Sequence, residues 1–161
     1  MQSRFIVKLM TAAKELGVHT AIETNGYYSD RLSDEEIASI DLVILDMKAF
    51  TADQHRRVTG LGNSEVLEFG RRLAALKRPM WLRYVLVPGL TGIKEEMEAL
   101  ASYGASLGVV ERVEILPFHQ LGQYKWQRLG ITYELEATQP PTAEEVAKAT
   151  DIFRAAGLQA D

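Results

Sequence analysis

The chain is 161 residues long, 47% apolar and 25% charged, with a net charge of −4, a profile that suits one globular domain with a real core. The charge argues against a general nucleic-acid binder, and no apolar run approaches the ~20 residues of a membrane span. Cysteine is absent, which excludes disulfides and thiolate metal sites within the chain. The start lacks the apolar core of a signal peptide, so the cytoplasm is the default location.

Phe5, Ile6, Leu9, Met10, Ala13 and Leu16 recur at helical spacing, and Gly17 is a suitable stop. An amphipathic helix that leads directly into a strand reads as an α/β repeat entered halfway. Residues 18–23 read as that strand, and Thr24-Asn25-Gly26 as the turn after it. Ser33-x-x-Glu36 is a capping box for a short helix over 34–40. Leu42-Val43-Ile44-Leu45, closed by Asp46-Met47-Lys48, reads as a strand buried on both faces. Thr51-x-x-Gln54 starts another helical turn, and a helix follows over about 64–77, broken by Pro79.

Residues 80–87 form a third strand, stopped by Pro88-Gly89. A helix over 93–107 carries its glutamates outward and ends at Gly108. Residues 112–116 form the fourth strand, ending at Pro117-Phe118-His119. Residues 120–141 read as a polar, aromatic loop, long for a compact domain, and such loops are often functional. Thr142-x-x-Glu145 caps a last helix that ends near Gly157. Strands alternating with helices imply an α/β fold with a parallel sheet and right-handed crossovers, in one domain over 1–161.

Parallel strands bring their carboxyl ends to one rim. That rim would hold the carboxylates of Glu23 and Asp46, the cations of Lys48 and Arg83, and the imidazole of His119. Such a set suits an anionic or zwitterionic small ligand. Each residue also has a structural use. Asp46 and Lys48 can be a surface ion pair, Glu23 a turn cap, Arg83 a structural cation and His119 a loop residue bonded to backbone. Singly, those uses prevail; gathered at one rim, a binding site is the better reading. An unrelated barrel enzyme using Lys48 and Asp46 for acid–base or Schiff-base chemistry is the weaker alternative. His19 and His55, the latter in an exposed helical turn, read as structural, and Trp81 and Trp126 as packing residues.

Several strings are specific. His19-Thr20-Ala21-Ile22-Glu23-Thr24-Asn25-Gly26 comes first, then Leu45-Asp46-Met47-Lys48. Trp81-Leu82-Arg83-Tyr84-Val85-Leu86-Val87-Pro88-Gly89 and Leu116-Pro117-Phe118-His119-Gln120-Leu121-Gly122 follow, then Tyr124-Lys125-Trp126, Leu129-Gly130 and Pro140-Pro141. Over nearly its whole length the chain resembles the pyruvate formate-lyase activating enzymes, radical S-adenosylmethionine activases of glycyl-radical enzymes. The resemblance implies a partial TIM-type barrel, with about four parallel strands of a radical S-adenosylmethionine (βα)6 barrel. It implies that Asp46, Met47, Lys48 and His119 contact S-adenosylmethionine. It also implies that Glu23, Thr24 and Asp46 help hold a monovalent cation, and that Arg83 faces the substrate. The family's reaction is reductive cleavage of S-adenosylmethionine by a 4Fe-4S cluster, after which the 5′-deoxyadenosyl radical takes a hydrogen atom from a glycine of the partner. The implied partners are a glycyl-radical enzyme, pyruvate formate-lyase, and a flavodoxin or ferredoxin as electron donor.

Two departures stand out. Position 23 is Glu where the family usually has Asp. The family's C-x3-C-x2-C cluster cysteines and its Gly-Gly-Glu stretch are absent, so the chain reads as the C-terminal two-thirds of an activase, inactive alone. A non-catalytic cofactor- or partner-binding module is the alternative. With two strand–helix units missing, 18–23 should be an open edge that invites a homodimer, and the barrel-facing Ile22, Ile44 and Leu82 should lose cover.

Overall fold

Four parallel strands make one sheet in the computed structural model, which describes residues 2–161. They are β1 (Ala21–Thr24), β2 (Leu42–Asp46), β3 (Met80–Leu86) and β4 (Val110–Pro117), in that spatial order. Ala21 pairs with Leu42, Val43 with Met80 and Leu82 with Val113. The helices are α1 (Ser3–Glu15), α2 (Asp34–Ala38), α3 (Ala52–Thr59), α4 (Ser64–Ala75), α5 (Lys94–Leu107), α6 (Gln123–Leu129) and α7 (Ala143–Ala155). None of the described helices is long and apolar enough to cross a membrane.

Local chemistry sets the helix ends. Ser33 and Thr142 form reciprocal capping boxes with Glu36 and Glu145, and the Thr51 hydroxyl accepts from the Gln54 N–H. Gly108 closes α5 at φ 67°, a left-handed conformation that glycine adopts without steric cost. β1 begins later than expected. Asp41 accepts hydrogen bonds from the Thr20 N–H and hydroxyl, both at 2.9 Å, which ties the preceding residues to the loop before β2.

Successive strand side chains alternate between faces. One set, including Val43, Leu45, Met47, Leu82, Tyr84 and Val113, is buried against Ile37 of α2, Phe69 and Leu73 of α4, Leu100 of α5 and Phe153 of α7. The opposite set includes Ile44, Asp46, Trp81, Arg83, Val85, Arg112 and Glu114 and is only half-buried. β2 is therefore covered on one face along most of its length, where the apolar run suggested two. Ile44 lies on the open face as expected, but Leu82 and Ile22 do not. Leu82 packs so closely on α5 that a Cβ added to Gly104 would stand 2.8 Å from its Cδ1, and Ile22 packs against the helix-side core.

Residues 120–141 are more ordered than a loop: a 3-10 turn (Gln120–Gly122) leads into α6. The C-terminal tail also pairs with β4. The Val113 and Ile115 N–H groups donate to the carbonyls of Gln159 (2.8 Å) and Asp161 (2.9 Å), and the Asp161 N–H donates to the Val113 carbonyl (3.1 Å). Among the described residues β1 has no such partner, and it forms the other edge of the sheet.

Candidate functional site

The open sheet face carries charge in a row. Register places Asp46 beside Arg83 and Arg83 beside Glu114. Glu23 of β1 also reaches this row. Arg83 Nη1 lies 2.6 Å from a Glu23 carboxylate oxygen, while its Nε and Nη2 donate to one Glu114 oxygen at 2.9 and 2.7 Å. Hydrogen bonds to Glu23, then Glu114, raise the pKa of Arg83, so the guanidinium stays charged and pinned. This is the structural pairing that the sequence left open for Arg83. Nothing in the local sequence marked Glu114, because its role depends on the register between β3 and β4.

At the end of β2, Lys48 Nζ meets Asp46 Oδ2 at 2.6 Å, with both side chains partly exposed. The other oxygen of Asp46, Oδ1, is buried and has no hydrogen-bond partner among the described residues. A buried carboxylate oxygen without a donor is costly, and it marks a place for one. Met47 points the other way, fully buried in the core. Its N–H donates to the Arg83 carbonyl at 2.8 Å, so only its own carbonyl remains for a ligand. Thr24 lies on the helix side of β1, and its hydroxyl accepts the Gly26 N–H at 3.1 Å. Among the described residues, no hydrogen bond joins Glu23, Thr24 and Asp46 into one set. Among the described residues, no three His, Asp or Glu side chains are grouped to hold a metal ion.

His119 follows the buried Phe118, whose N–H donates to the Leu86 carbonyl at 3.0 Å and so fixes the end of β4 to β3. The His119 ring is exposed; its Nδ1 accepts the Leu121 N–H at 3.4 Å, and Nε2 has no partner among the described residues. The structure thus brings Glu23, Asp46, Lys48 and Arg83 to one face, with His119 beyond the end of β4.

One supporting residue escaped the sequence reading. Glu96 on α5 is buried, where the helix seemed to turn its glutamates outward. Its carboxylate accepts the N–H groups of Phe50 (3.0 Å) and Thr51 (2.9 Å) and the Thr51 hydroxyl, anchoring the segment just after Lys48. His55 has the structural role expected of it, with Nδ1 2.8 Å from the Leu61 carbonyl, but its own side chain is buried while most of the turn around it is exposed. Trp81 lies on the open face with the Arg112 guanidinium 5.0 Å from its ring centre, a cation–π contact.

No family model matches the chain. Over 155 residues it is 43% identical to the pyruvate formate-lyase-activating enzyme of Staphylococcus epidermidis, covering 92% of this chain and 62% of that protein. The enzyme of the same name from Streptococcus mutans is 40% identical over 160 residues, covering 95% and 60%. The chain therefore spans about three fifths of the length of these relatives. The crystal structure of a domain of pyruvate-formate lyase-activating enzyme from Bacteroides vulgatus superposes with a TM-score of 0.81 at 20% identity, covering 99% of this chain and 89% of that one. Streptococcus suis SuiB bound to S-adenosylmethionine gives 0.72 at 14% identity, over 97% of this chain and 35% of that one. The fold shared with these structures is α/β, a four-stranded parallel part of a TIM-type barrel.

Proposed function

Because the chain belongs to the pyruvate formate-lyase-activating enzymes, we propose that it supplies the cofactor-contacting rim of such an activase. The observation that carries this reading is the buried, unpartnered Asp46 Oδ1 beside the Lys48 ammonium. A zwitterionic ligand such as S-adenosylmethionine offers an ammonium for Asp46 and a carboxylate for Lys48. His119, through its free Nε2, and the Met47 carbonyl would complete the contacts. A monovalent cation near the ligand carboxylate would use Asp46, with Glu23 and Thr24 joining only by leaving Arg83 and Gly26. When bound, S-adenosylmethionine supplies the group that takes a hydrogen atom from a glycine of the partner, pyruvate formate-lyase. Arg83, held by Glu23 and Glu114, would orient that partner's segment over the open face.

The residues present do not fit a 4Fe-4S cluster, since such clusters need thiolate ligands and the chain has no cysteine. Anaerobic reconstitution of this chain should therefore leave no stoichiometric iron. Flavodoxin or ferredoxin as reductant, and a cytoplasmic location, belong to the same reading of the whole activase. The missing thiolates equally favour a second reading, a cofactor- or partner-binding module without radical chemistry.

Calorimetric titration with S-adenosylmethionine is the test. Lys48→Ala should weaken binding by roughly 10- to 150-fold, the loss of one charge-assisted hydrogen bond at ~1.5–3 kcal/mol. Equal affinity in wild type and variant would remove Lys48 from the site and the reading with it.

A further inference from the structure

From the exposed face of α6 and the turn after it, we infer a docking surface for the polypeptide partner, which adds a location to the activase reading and rests on it. α6 buries none of its residues. Leu121 and Leu129 are 76% and 71% exposed, and Tyr124, Trp126 and Ile131 are also exposed. Five large apolar side chains within eleven residues, from the 3-10 turn before α6 through α6 to the residues just after it, neither helical piece burying any residue, form a patch of the kind found at interfaces.

The patch is also held in shape. The Gln120 side-chain amide donates to the carbonyls of Leu135 (2.9 Å), Glu136 (3.2 Å) and Thr138 (2.8 Å), which closes residues 120–138 into one unit. Trp126 packs against Tyr133 in a tilted pair with ring centres 5.6 Å apart. A surface ordered in advance loses less freedom on binding.

Charge defines the occupant. Lys125 and Arg128 are exposed and make no ion pair among the described residues, and the Arg128 guanidinium lies 5.3 Å from the Tyr124 ring centre. Glu136 is tied to the first turn of α6 through Gln123 at 3.1 Å, and Glu134 adds a second carboxylate to the following turn. The helix itself therefore presents aromatic and aliphatic groups with positive charge, and it fits an apolar segment flanked by carboxylates. Position favours the substrate protein as the source of that segment. The unit starts at the residue after His119, whose Nδ1 accepts the Leu121 N–H. A chain seated on α6 is delivered to the rim.

The test is binding of purified pyruvate formate-lyase, immobilised, by the full chain and three double variants. Leu121→Ser/Leu129→Ser and Lys125→Glu/Arg128→Glu should each weaken binding at least about tenfold, the scale of a lost interface hot spot. Phe5→Ser/Leu9→Ser, which removes two exposed apolar side chains from α1, should leave binding unchanged. Leu129→Ala gives a milder readout should the serine pair disturb the helix. Wild-type binding that the α6 variants leave intact would overturn the surface while sparing the activase reading. No binding by the wild type would overturn both. α6-dependent self-association in light scattering, or α6-dependent capture of flavodoxin instead, would overturn the choice of occupant.

Discussion

Replacing Glu96 with alanine should destabilise the domain far more than any other change to the α5 glutamates. The side chain is 8% exposed and accepts from two backbone N–H groups and one hydroxyl in the segment after Lys48. Truncation leaves those donors without their acceptor. At ~1 kcal/mol or more for each N–H, with water reaching the hydroxyl, the loss should be about 2–4 kcal/mol. For a domain of this size that lowers the melting temperature by roughly 5–15 °C. Glu96→Gln keeps an acceptor for the N–H groups and an amide that can donate to the hydroxyl, so it should cost about 1 kcal/mol. Glu95, next along the helix and exposed, is the control. Thermal unfolding followed by circular dichroism separates these outcomes. If Glu96→Ala melts with Glu95→Ala, the buried carboxylate does not anchor the rim.

The remaining predictions concern other parts of the sheet and its helices. The Lys14 ammonium, then the Thr20 N–H and hydroxyl, hold the Asp41 carboxyl well below the usual carboxylate range. Its stabilisation is therefore present above the unfolded value near about pH 4 and is lost as the pH falls from there toward the lower folded value. Asp41→Asn should flatten the acid limb of urea midpoints measured against pH, and an unchanged limb would discount the contact. At Gly70 a Cβ would stand 2.2 Å from the Tyr103 hydroxyl oxygen, which donates to the Leu67 carbonyl at 2.6 Å. Gly70→Ala should cost ~1–3 kcal/mol in urea unfolding, whereas Gly62→Ala, with open space around it, should not. Arg83→Met strands Glu23 and Glu114 and should cost about 1–3 kcal/mol at neutral pH, less than a fully buried pair. Adding Glu114→Gln should recover part of it, and a double variant no more stable than the single would count against the clamp.

What could be read from the sequence was what is decided locally. Ser33, Thr51 and Thr142 announced their helices because a cap needs only a side chain and a backbone N–H three residues on. The parallel sheet followed from the alternation of strands and helices. Other features depend on elements far apart in the chain. The run Leu42–Leu45 is compatible with one covered face or two, and only the placement of the helices decides. Arg83 and Glu114 are 31 residues apart and meet through register. Glu95, Glu96 and Glu98 look alike along α5, yet Glu96 faces inward because the residues after Lys48 pass beneath it. The rim residues were readable as types at strand ends, but their pairings and the free oxygen on Asp46 were not.

The sequential strand order has a consequence for how the chain acquires its structure. Each strand lies beside the one before it, so no strand has to be inserted between two already in place. The sheet can grow by accretion from β1 to β4, and the rate is governed by the widest loop to be closed. That loop joins β2 to β3, and it is also where Asn63 donates to the Phe50 carbonyl and Glu96 gathers Phe50 and Thr51. Contacts that steady the rim at the end of β2 thus lie on the connection whose closure is slowest.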